Sequence, residues 1–191
     1  GDGMRNENRM SMVLRAGVAW FVLSLALPLL AQRAVVFPLT QKEGPPAVEW
    51  IGTGLAVALS DTLVDSGALV LPVADLESYF AQEDLIERPK LSTVAQIALA
   101  KQLGAGTAVC GQFWVTGSTV RAELEAFSPE GDLARIGQWQ ASSPLSDLEG
   151  LANALGAPLL QALKRTPKTP RAVKPEAFEA FIRGRSATDP V

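Results

Sequence analysis

The stretch AKQLGAGTAVCGQFW (Ala100–Trp114) decides the predicted fold, because a helical pattern gives way to a strand pattern inside it. Apolar residues recur at helical spacing over Thr93–Gly104, and Gly104 is typical of a helix stop. A run containing valine and aromatic residues follows over Thr107–Gly117 and is typical of a strand. Three glycines and the chain's single cysteine fall within Gly104–Gly111, so this stretch also raises the question of a functional site.

Two more strand patterns follow, separated by short turns. They cover Thr119–Pro129 and Leu133–Ser143, and the connecting TGS and PEGD segments have the residues of tight turns. We therefore expect the three strands to form an antiparallel meander. The middle strand predicts one buried and one solvated face, because two sets of residues alternate along it: Val120, Ala122, Leu124 and Ala126 against Arg121, Glu123, Glu125 and Phe127.

The chain before and after this meander alternates strand and helix patterns. The segments are a buried strand (Arg33–Thr40), a loop (Gln41–Pro46), a helix (Ala47–Ser66) stopped by Gly67, a second buried strand (Ala68–Val73), a helix (Asp75–Asp84) capped by Asp75, the helix Thr93–Gly104 capped by Ser92, and a last helix (Ser146–Arg165) capped by Ser146 with Glu149. Right-handed crossovers make the first strands parallel. The sequence thus predicts an α/β fold: a mixed sheet ordered strand-helix-strand-helix-helix, then the three-stranded antiparallel meander and a final helix, with the helices packed on the sheet.

The composition narrows the classes of function. Of 191 residues, 48% are apolar and 19% are charged, which is enough for a packed core. The net charge of −3, without a basic block, argues against nucleic acid as the partner. The chain has no histidine, so it lacks the commonest general base and the commonest zinc ligand. One cysteine allows no internal disulfide, and we expect neither a metal nor a cofactor.

The amino terminus has the pattern of a targeting signal over residues 1–32. Three arginines precede the uncharged run AGVAWFVLSLALPLLAQ (Ala16–Gln32), whose last residue but one is the small Ala31. We expect cleavage after Ala31 and export to the periplasm or beyond. The alternative is a retained inner-membrane anchor facing the periplasm, because the run reaches the lower limit for a spanning helix.

Several segments resemble the TolB-like amino-terminal domain. The matching pieces are VVFPLT, EWIGTGLAVALSDTLVDSGALVLPV and VAQIALAKQLGAGTAVCGQFWVTGSTVRAELEAFSPEGDLARIGQWQ, and the resemblance extends over Val35–Ser186. This family is found in bacterial cell-envelope proteins and ahead of tetratricopeptide arrays, and it is related to flagellar and curli-secretion lipoprotein domains. The resemblance implies an envelope location and protein binding without catalysis, and it implies no catalytic residue.

The carboxy-terminal part divides into a linker and a helix. Residues 166–175, TPKTPRAVKP, are rich in proline and lysine and lack an apolar period, as semi-rigid linkers do. Residues 176–191 begin a helix with Phe178, Phe181 and Ile182 on one face. The segment PEAFEAFIRGRS resembles the opening of a tetratricopeptide array, although no full repeat follows in this chain. We expect the three apolar side chains either to dock on the preceding domain or to contact a following repeat.

The glycine-rich stretch is not expected to bind phosphate. Phosphate loops lead from a strand into a helix amino terminus, whereas Gly104 and Gly106 follow a helix at its carbonyl end. Gly111 is expected to mark a bulge or a close backbone approach. Cys110 is expected to be a small buried apolar residue, because no cation is adjacent in the sequence to activate it.

Two further groups of residues are candidates for chemistry or binding. Asp61 and Asp65 lie one helical turn apart and could hold a cation or act as an acid and base, but no third ligand follows at a fixed spacing. We interpret them as a solvated helix face. An exposed tryptophan on the meander would be an anchor for a partner, and Trp114 is the candidate if Phe113 faces the core. The reverse orientation fits the alternation equally well, and packing in the core is the favoured interpretation for each tryptophan.

Together these features predict an exported, non-enzymatic domain over residues 33–165 that acts as a protein-interaction module of the bacterial cell envelope. The expected mechanism is association through a sheet edge, an apolar surface or a repeat groove. The alternatives are a subunit anchored in a membrane assembly by residues 16–32 and a hydrolase that uses Asp61 and Asp65. The candidate partner contacts are Trp114, Phe178, Phe181 and Ile182, and the oligomeric state stays open.

Overall fold

The computed structural model describes residues 33–82, 91–130, 133–166 and 180. Within this part of the chain the strands are β1 (Arg33–Val36), β2 (Thr40–Glu43), β3 (Leu69–Leu71), β4 (Thr107–Thr116), β5 (Thr119–Phe127) and β6 (Arg135–Pro144). The helices are α1 (Trp50–Asp65), α2 (Val73–Gln82), α3 (Thr93–Gln102) and α4 (Leu148–Ala162), and a short 3-10 turn, Pro46–Val48, precedes α1.

These six strands form one mixed sheet. Its order is β3-β1-β4-β5-β6, and β2 pairs with β4 beyond the part that β1 occupies. The pairs β1–β3, β1–β4 and β2–β4 are parallel, whereas β4, β5 and β6 form the predicted antiparallel meander. Helices α1 and α4 pack on one face of the sheet, and α2 and α3 pack on the other. The predicted α/β fold class is confirmed.

Strand β2 corrects the sequence analysis, which predicts a loop over Gln41–Pro46. The chain leaves β1, passes Pro38 and pairs again with Thr40 opposite Gln112. The residues of β2 are half-buried or exposed, so the strand has no apolar alternation. The prediction was wrong because a polar edge strand has the same composition as a loop.

Strand β3 is shorter and more exposed than the sequence predicts. The sequence indicates a buried strand over Ala68–Val73, but only Leu69–Leu71 pair, at the edge of the sheet, and Leu69 is 52% exposed. A short apolar run looks the same at an edge as in the centre of a sheet, which explains the error. Helix α2 then begins at Val73, so Asp75 lies in its first turn instead of at its cap.

The cap of α4 also differs from the prediction by one residue. The helix begins at Leu148, and the Asp147 carboxylate accepts a hydrogen bond from the Gly150 N–H at 2.9 Å. Asp147 therefore caps the helix instead of Ser146. Serine and aspartate are equally good caps, so two such neighbours cannot be ranked from the sequence. Ser92 caps α3 as predicted.

The sheet separates two apolar layers of different size. The larger layer lies between the sheet and helices α1 and α4, and its fully buried side chains include Leu55, Leu124 and Leu155. The smaller layer lies under α2 and α3 and includes Phe37 and Ile97. Burying one such side chain contributes about 1.5–3 kcal/mol, so the larger layer provides more of the stability. The predicted alternation along the middle strand is confirmed, because Val120, Ala122, Leu124 and Ala126 are all buried.

The contact between Leu39 and Gly52 fixes how α1 approaches the sheet. Gly52 lies in the first turn of α1, and the structure shows close backbone packing there. The Leu39 N–H donates to the Gly52 carbonyl oxygen at 3.1 Å. A Cβ on Gly52 would collide with the carbonyl oxygen of Leu39, which is backbone and cannot turn aside as a side chain would. Glycine is therefore required at this position.

We expect Gly52→Ala to lower the free energy of unfolding by about 2–3 kcal/mol, because the added methyl group forces β1, β2 and α1 apart. Urea unfolding followed by circular dichroism measures the effect. Gly156→Ala in α4 is the matched control: its Cβ would lie 3.2 Å from the Thr62 Cγ2 atom, a side-chain contact. The control should change the stability by less than about 1 kcal/mol, because alanine's helix propensity offsets the tight contact. Equal losses in the two variants would contradict this account.

Candidate functional site

The polar face of the sheet is the part of the molecule where charged side chains of β5 and β6 lie beside neutral side chains of β4. It lies opposite the larger apolar layer, and α2 and α3 pack over β1 and the first half of β4 on this side. No element that the structure describes covers the rest of this face. The register places its side chains in three cross-strand rows: Trp114–Arg121–Ser142, Gln112–Glu123–Gln140 and Cys110–Glu125–Gln138.

Two arginines form hydrogen bonds on this face: Arg121 links the first row to the second, and Arg135 binds two members of the third. The Arg121 guanidinium donates to Glu123 Oε1 at 2.6 Å and to Gln140 Oε1 at 3.0 Å. Gln112 Nε2 donates to the second oxygen of Glu123 at 3.1 Å. Arg135 in the same way donates to Glu125 Oε1 at 3.1 Å and to the Gln138 side chain at 3.0 Å. Exposed ion pairs contribute only about 0–1 kcal/mol, so this network orients the side chains more than it stabilises the fold.

Trp114, the predicted partner contact, lies on this polar face. Phe113 is fully buried in the larger apolar layer, so alternation along β4 turns Trp114 to the opposite side. Its ring is half-buried, and the Arg121 guanidinium carbon lies 5.4 Å from the ring centroid, the geometry of a cation–π contact. Direct contact of Trp114 with a partner stays a prediction.

A cleft of about 710 Å³ lies where the polar face meets the amino terminus of α3. Its lining comes from three places: Thr40 and Lys42 of β2, Ser92 and Gln96 of α3, and a floor formed by residues such as Gln112, Glu123 and Glu125. The sequence analysis missed this cleft. Its residues are spread over three distant segments, and only the pairing of β2 with β4 brings these together.

Gly111 lies beside the cleft at the point where β4 changes its parallel partner. It lies between the part of β4 that pairs with β1 and the part that pairs with β2. A Cβ at Gly111 would lie 2.7 Å from the Glu123 carbonyl oxygen and 2.8 Å from the Leu39 Cγ atom. The expected close backbone approach at Gly111 is therefore confirmed, and the absence of a side chain lets Leu39 pack directly on the sheet.

The other glycines and the cysteine of the opening stretch have structural positions. Gly104 follows α3 with a φ of 68°, the left-handed conformation of a helix stop. The Gly106 N–H donates to the Arg33 carbonyl oxygen at 2.9 Å, which joins the turn to β1. Cys110 is buried in the smaller apolar layer. Burial raises the pKa of its thiol to about 12, and the negative charge of Glu125 contributes to the rise.

Asp61 and Asp65 both lie on the exposed face of α1. Among the described residues no group of three histidine, cysteine, aspartate or glutamate side chains is arranged to hold a metal ion. The interpretation of these two carboxylates as a solvated face agrees with their exposure.

One helix in the described ranges, Pro46–Asp65, is long and apolar enough to cross a membrane by length and composition. Half of its apolar window is buried inside the domain. Ile51, Leu55 and Leu59 of this helix are fully buried against the sheet, so packing in the core accounts for its apolar character. The proposed signal or anchor over residues 1–32 lies outside the described residues.

The remaining predicted contact residues also lie outside the described part of the chain. Phe178, Phe181 and Ile182 are among them, as is nearly all of the linker over residues 166–175. Their roles stay predictions.

The outer edge of β6 is a feature that the sequence analysis did not single out. β6 is the last strand of the sheet and has ten residues, and no described strand pairs with its outer side. Natural edge strands are usually blocked by lysine, by proline, by inward-pointing charges or by being short. The eight residues Ile136–Ser143 contain no charge and no proline. They therefore leave a long row of backbone donors and acceptors open to pairing.

Comparison with solved structures shows the fold. Lipoprotein GNA1162 from Neisseria meningitidis is similar with a TM-score of 0.52 and 17% identity, covering 70% of this chain and 96% of that one. TolB from Acinetobacter baumannii has a TM-score of 0.47 and 12% identity, and the match covers 71% of this chain and 29% of TolB. The LpoB carboxy-terminal domain from Salmonella enterica has a TM-score of 0.44 and 10% identity, and the match covers 62% of this chain and 94% of that domain. No family model and no curated protein matches the chain. The chain thus shares the fold of a bacterial lipoprotein.

We expect Cys110 to react with a disulfide reagent at pH 8 at least about 100-fold more slowly in the folded protein than in urea. The raised pKa of about 12 keeps the thiol protonated, and each pKa unit lowers the reactive thiolate about tenfold. The rate should rise about tenfold per pH unit up to the folded pKa. Because the chain has one cysteine, the colorimetric signal reports this thiol alone. Similar rates in the folded and unfolded protein would contradict the assignment.

Proposed function

We propose that the chain is an exported, non-enzymatic protein-interaction module of the bacterial cell envelope, which binds its partner by adding a strand at β6. The open outer edge of β6 carries this proposal. Strand addition is a common mode of peptide recognition, in which main-chain hydrogen bonds give affinity and alternate side chains give specificity. The fold shared with a bacterial lipoprotein and the targeting-signal pattern of residues 1–32 support the envelope location.

The side chains of β6 define the kind of strand that would fit beside it. On the polar face β6 presents Gln138, Gln140 and Ser142, which are neutral and exposed. On the other face Trp139 and Ala141 pack against the larger apolar layer and are only partly buried. A complementary partner strand would therefore alternate neutral polar residues with apolar ones. Such a strand would continue both faces of the sheet without placing like charges opposite each other.

The rest of the proposal concerns the regions beside this domain. The domain of residues 33–165 would follow a cleaved signal, or a retained anchor, over residues 1–32. Residues 166–175 would link it to the helix of residues 176–191, the proposed start of a tetratricopeptide array. Phe178, Phe181 and Ile182 would add contacts there, and Trp114 would add one on the polar face. The proposal needs no cofactor and no nucleic acid.

We expect the double variant Gln140→Lys and Ser142→Lys to lose at least tenfold in partner binding. Lysines on an edge strand hinder the pairing of an incoming strand. Here their charges would lie beside the neutral side chains of the proposed partner strand. The measurement is affinity capture of the partner from a bacterial envelope extract, quantified against the unaltered protein, followed by titration with the purified partner. The variant should unfold at only a slightly lower urea concentration than the original, because both side chains are exposed and the hydrogen bond that is lost, from Arg121 to Gln140, lies at the surface.

The double variant Asp61→Asn and Asp65→Asn is the matched control. It also changes the net charge by +2, but on the exposed face of α1. This control should bind the partner as the original does. We expect neither the original nor the control to hydrolyse any substrate tested. Undiminished capture by the lysine variant would overturn strand addition. Turnover that disappears in the aspartate variant would favour the hydrolase.

A further inference from the structure

Gln96 is a buried polar side chain that opens onto the cleft. The residue is 6% exposed and lines the cleft from the second turn of α3. No described residue forms a hydrogen bond with its side-chain amide, although buried polar side chains are normally paired. The amide therefore offers a donor and an acceptor to whatever occupies the cleft.

The same side of the cleft attracts negative charge. The first intrahelical hydrogen bond of α3 runs from the Gln96 N–H to the Ser92 carbonyl oxygen at 3.0 Å. The Thr93 N–H precedes that bond, and the positive end of the helix dipole lies beside it. Lys42 on β2 adds a full positive charge, and the hydroxyl groups of Ser92 and Thr40 add donors. This arrangement suits one carboxylate group.

The opposite side of the cleft attracts hydrogen-bond donors. Glu123 and Glu125 form its floor on β5, two strand positions away from Lys42 on β2. Neighbouring strands lie about 4.8 Å apart, so the two sides are separated by roughly 10 Å. An extended peptide covers that distance with about three residues. The cleft volume of about 710 Å³ lies within the range of small-ligand sites.

We propose that this cleft binds the free carboxyl terminus of a short peptide of about three residues. The terminal carboxylate lies between Lys42, the Thr93 N–H and the Gln96 amide. The peptide N–H groups point toward Glu123 and Glu125, whose carboxylate oxygens have lone pairs beyond those that accept from Arg121, Gln112 and Arg135. A phosphate group fits less well, because the two glutamates oppose a doubly charged anion in the same cleft. The site shares Gln138 with β6, but the groups that hold the carboxylate lie on β2 and α3, so it can be present whether or not the β6 edge binds a partner.

The test is isothermal titration of the full chain with the tripeptide Ala-Ala-Ala and with the same peptide amidated at its carboxyl terminus. The free tripeptide should bind with one-to-one stoichiometry, and amidation should weaken binding at least tenfold. We expect a Kd of roughly a millimolar for the free tripeptide. Absence of saturation at tripeptide concentrations roughly ten times that Kd would overturn the proposal. Equal binding of the amidated peptide would also overturn it, as would inorganic phosphate that competes as well as the tripeptide, since the cleft would then be a general anion site.

Gln96→Leu tests the buried amide directly. The substitution keeps a similar volume and should weaken tripeptide binding at least tenfold without lowering the unfolding midpoint in urea. Gln102→Leu is the matched control, because it lies exposed at the end of the same helix and outside the cleft.

Lys42→Gln should weaken binding of the free tripeptide but not of its amidated form, whereas Lys101→Gln in the last turn of α3 should change neither. Equal behaviour of each variant and its control would contradict the proposed site.

Discussion

The packing of Leu39 between two glycines is the constraint on which the rest of the structure depends. Its backbone fits against Gly52 of α1, and its side chain fits against Gly111 of β4, where in each case a Cβ would collide. This close approach divides the parallel partner of β4 into two separate strands, β1 and β2. It also seats α1 on the sheet through the hydrogen bond from the Leu39 N–H to the Gly52 carbonyl oxygen. The larger apolar layer between α1 and the sheet therefore depends on this contact.

The two faces of the sheet differ in how far helices cover them. One face is closed by α1 and α4 over the larger apolar layer, which holds the domain together. On the other face α2 and α3 cover β1 and part of β4, and the arginine and glutamate rows of β5 and β6 stay at the surface. The uncovered area ends at β6, whose outer edge carries no charge between Arg135 and Pro144. Both binding sites that we propose therefore lie on or beside the part of the sheet that the helices leave open.

The sequence predicted the elements whose apolar pattern is strong, and it missed those set by long-range pairing. The meander β4–β6 was predictable because buried and exposed residues alternate along β5, and α3 was predictable from Ser92 and Gly104 at its ends. Strand β2 was missed because TQKE has no apolar residue. The cleft could not be predicted, since Lys42, Gln96 and Glu123 meet only through the register of β2 and β5 on β4.

The central claim is that β6 accepts a strand from a protein partner. The most direct measurement is NMR of the isotope-labelled domain bound to its unlabelled partner, observing cross-strand contacts of the residues Ile136–Ser143. The account predicts contacts between the backbone hydrogens of β6 and those of an extended partner segment, with slowed amide exchange along the strand. It would be contradicted by a partner whose contacts all lie on the helices while the β6 amides exchange as fast as in the free protein.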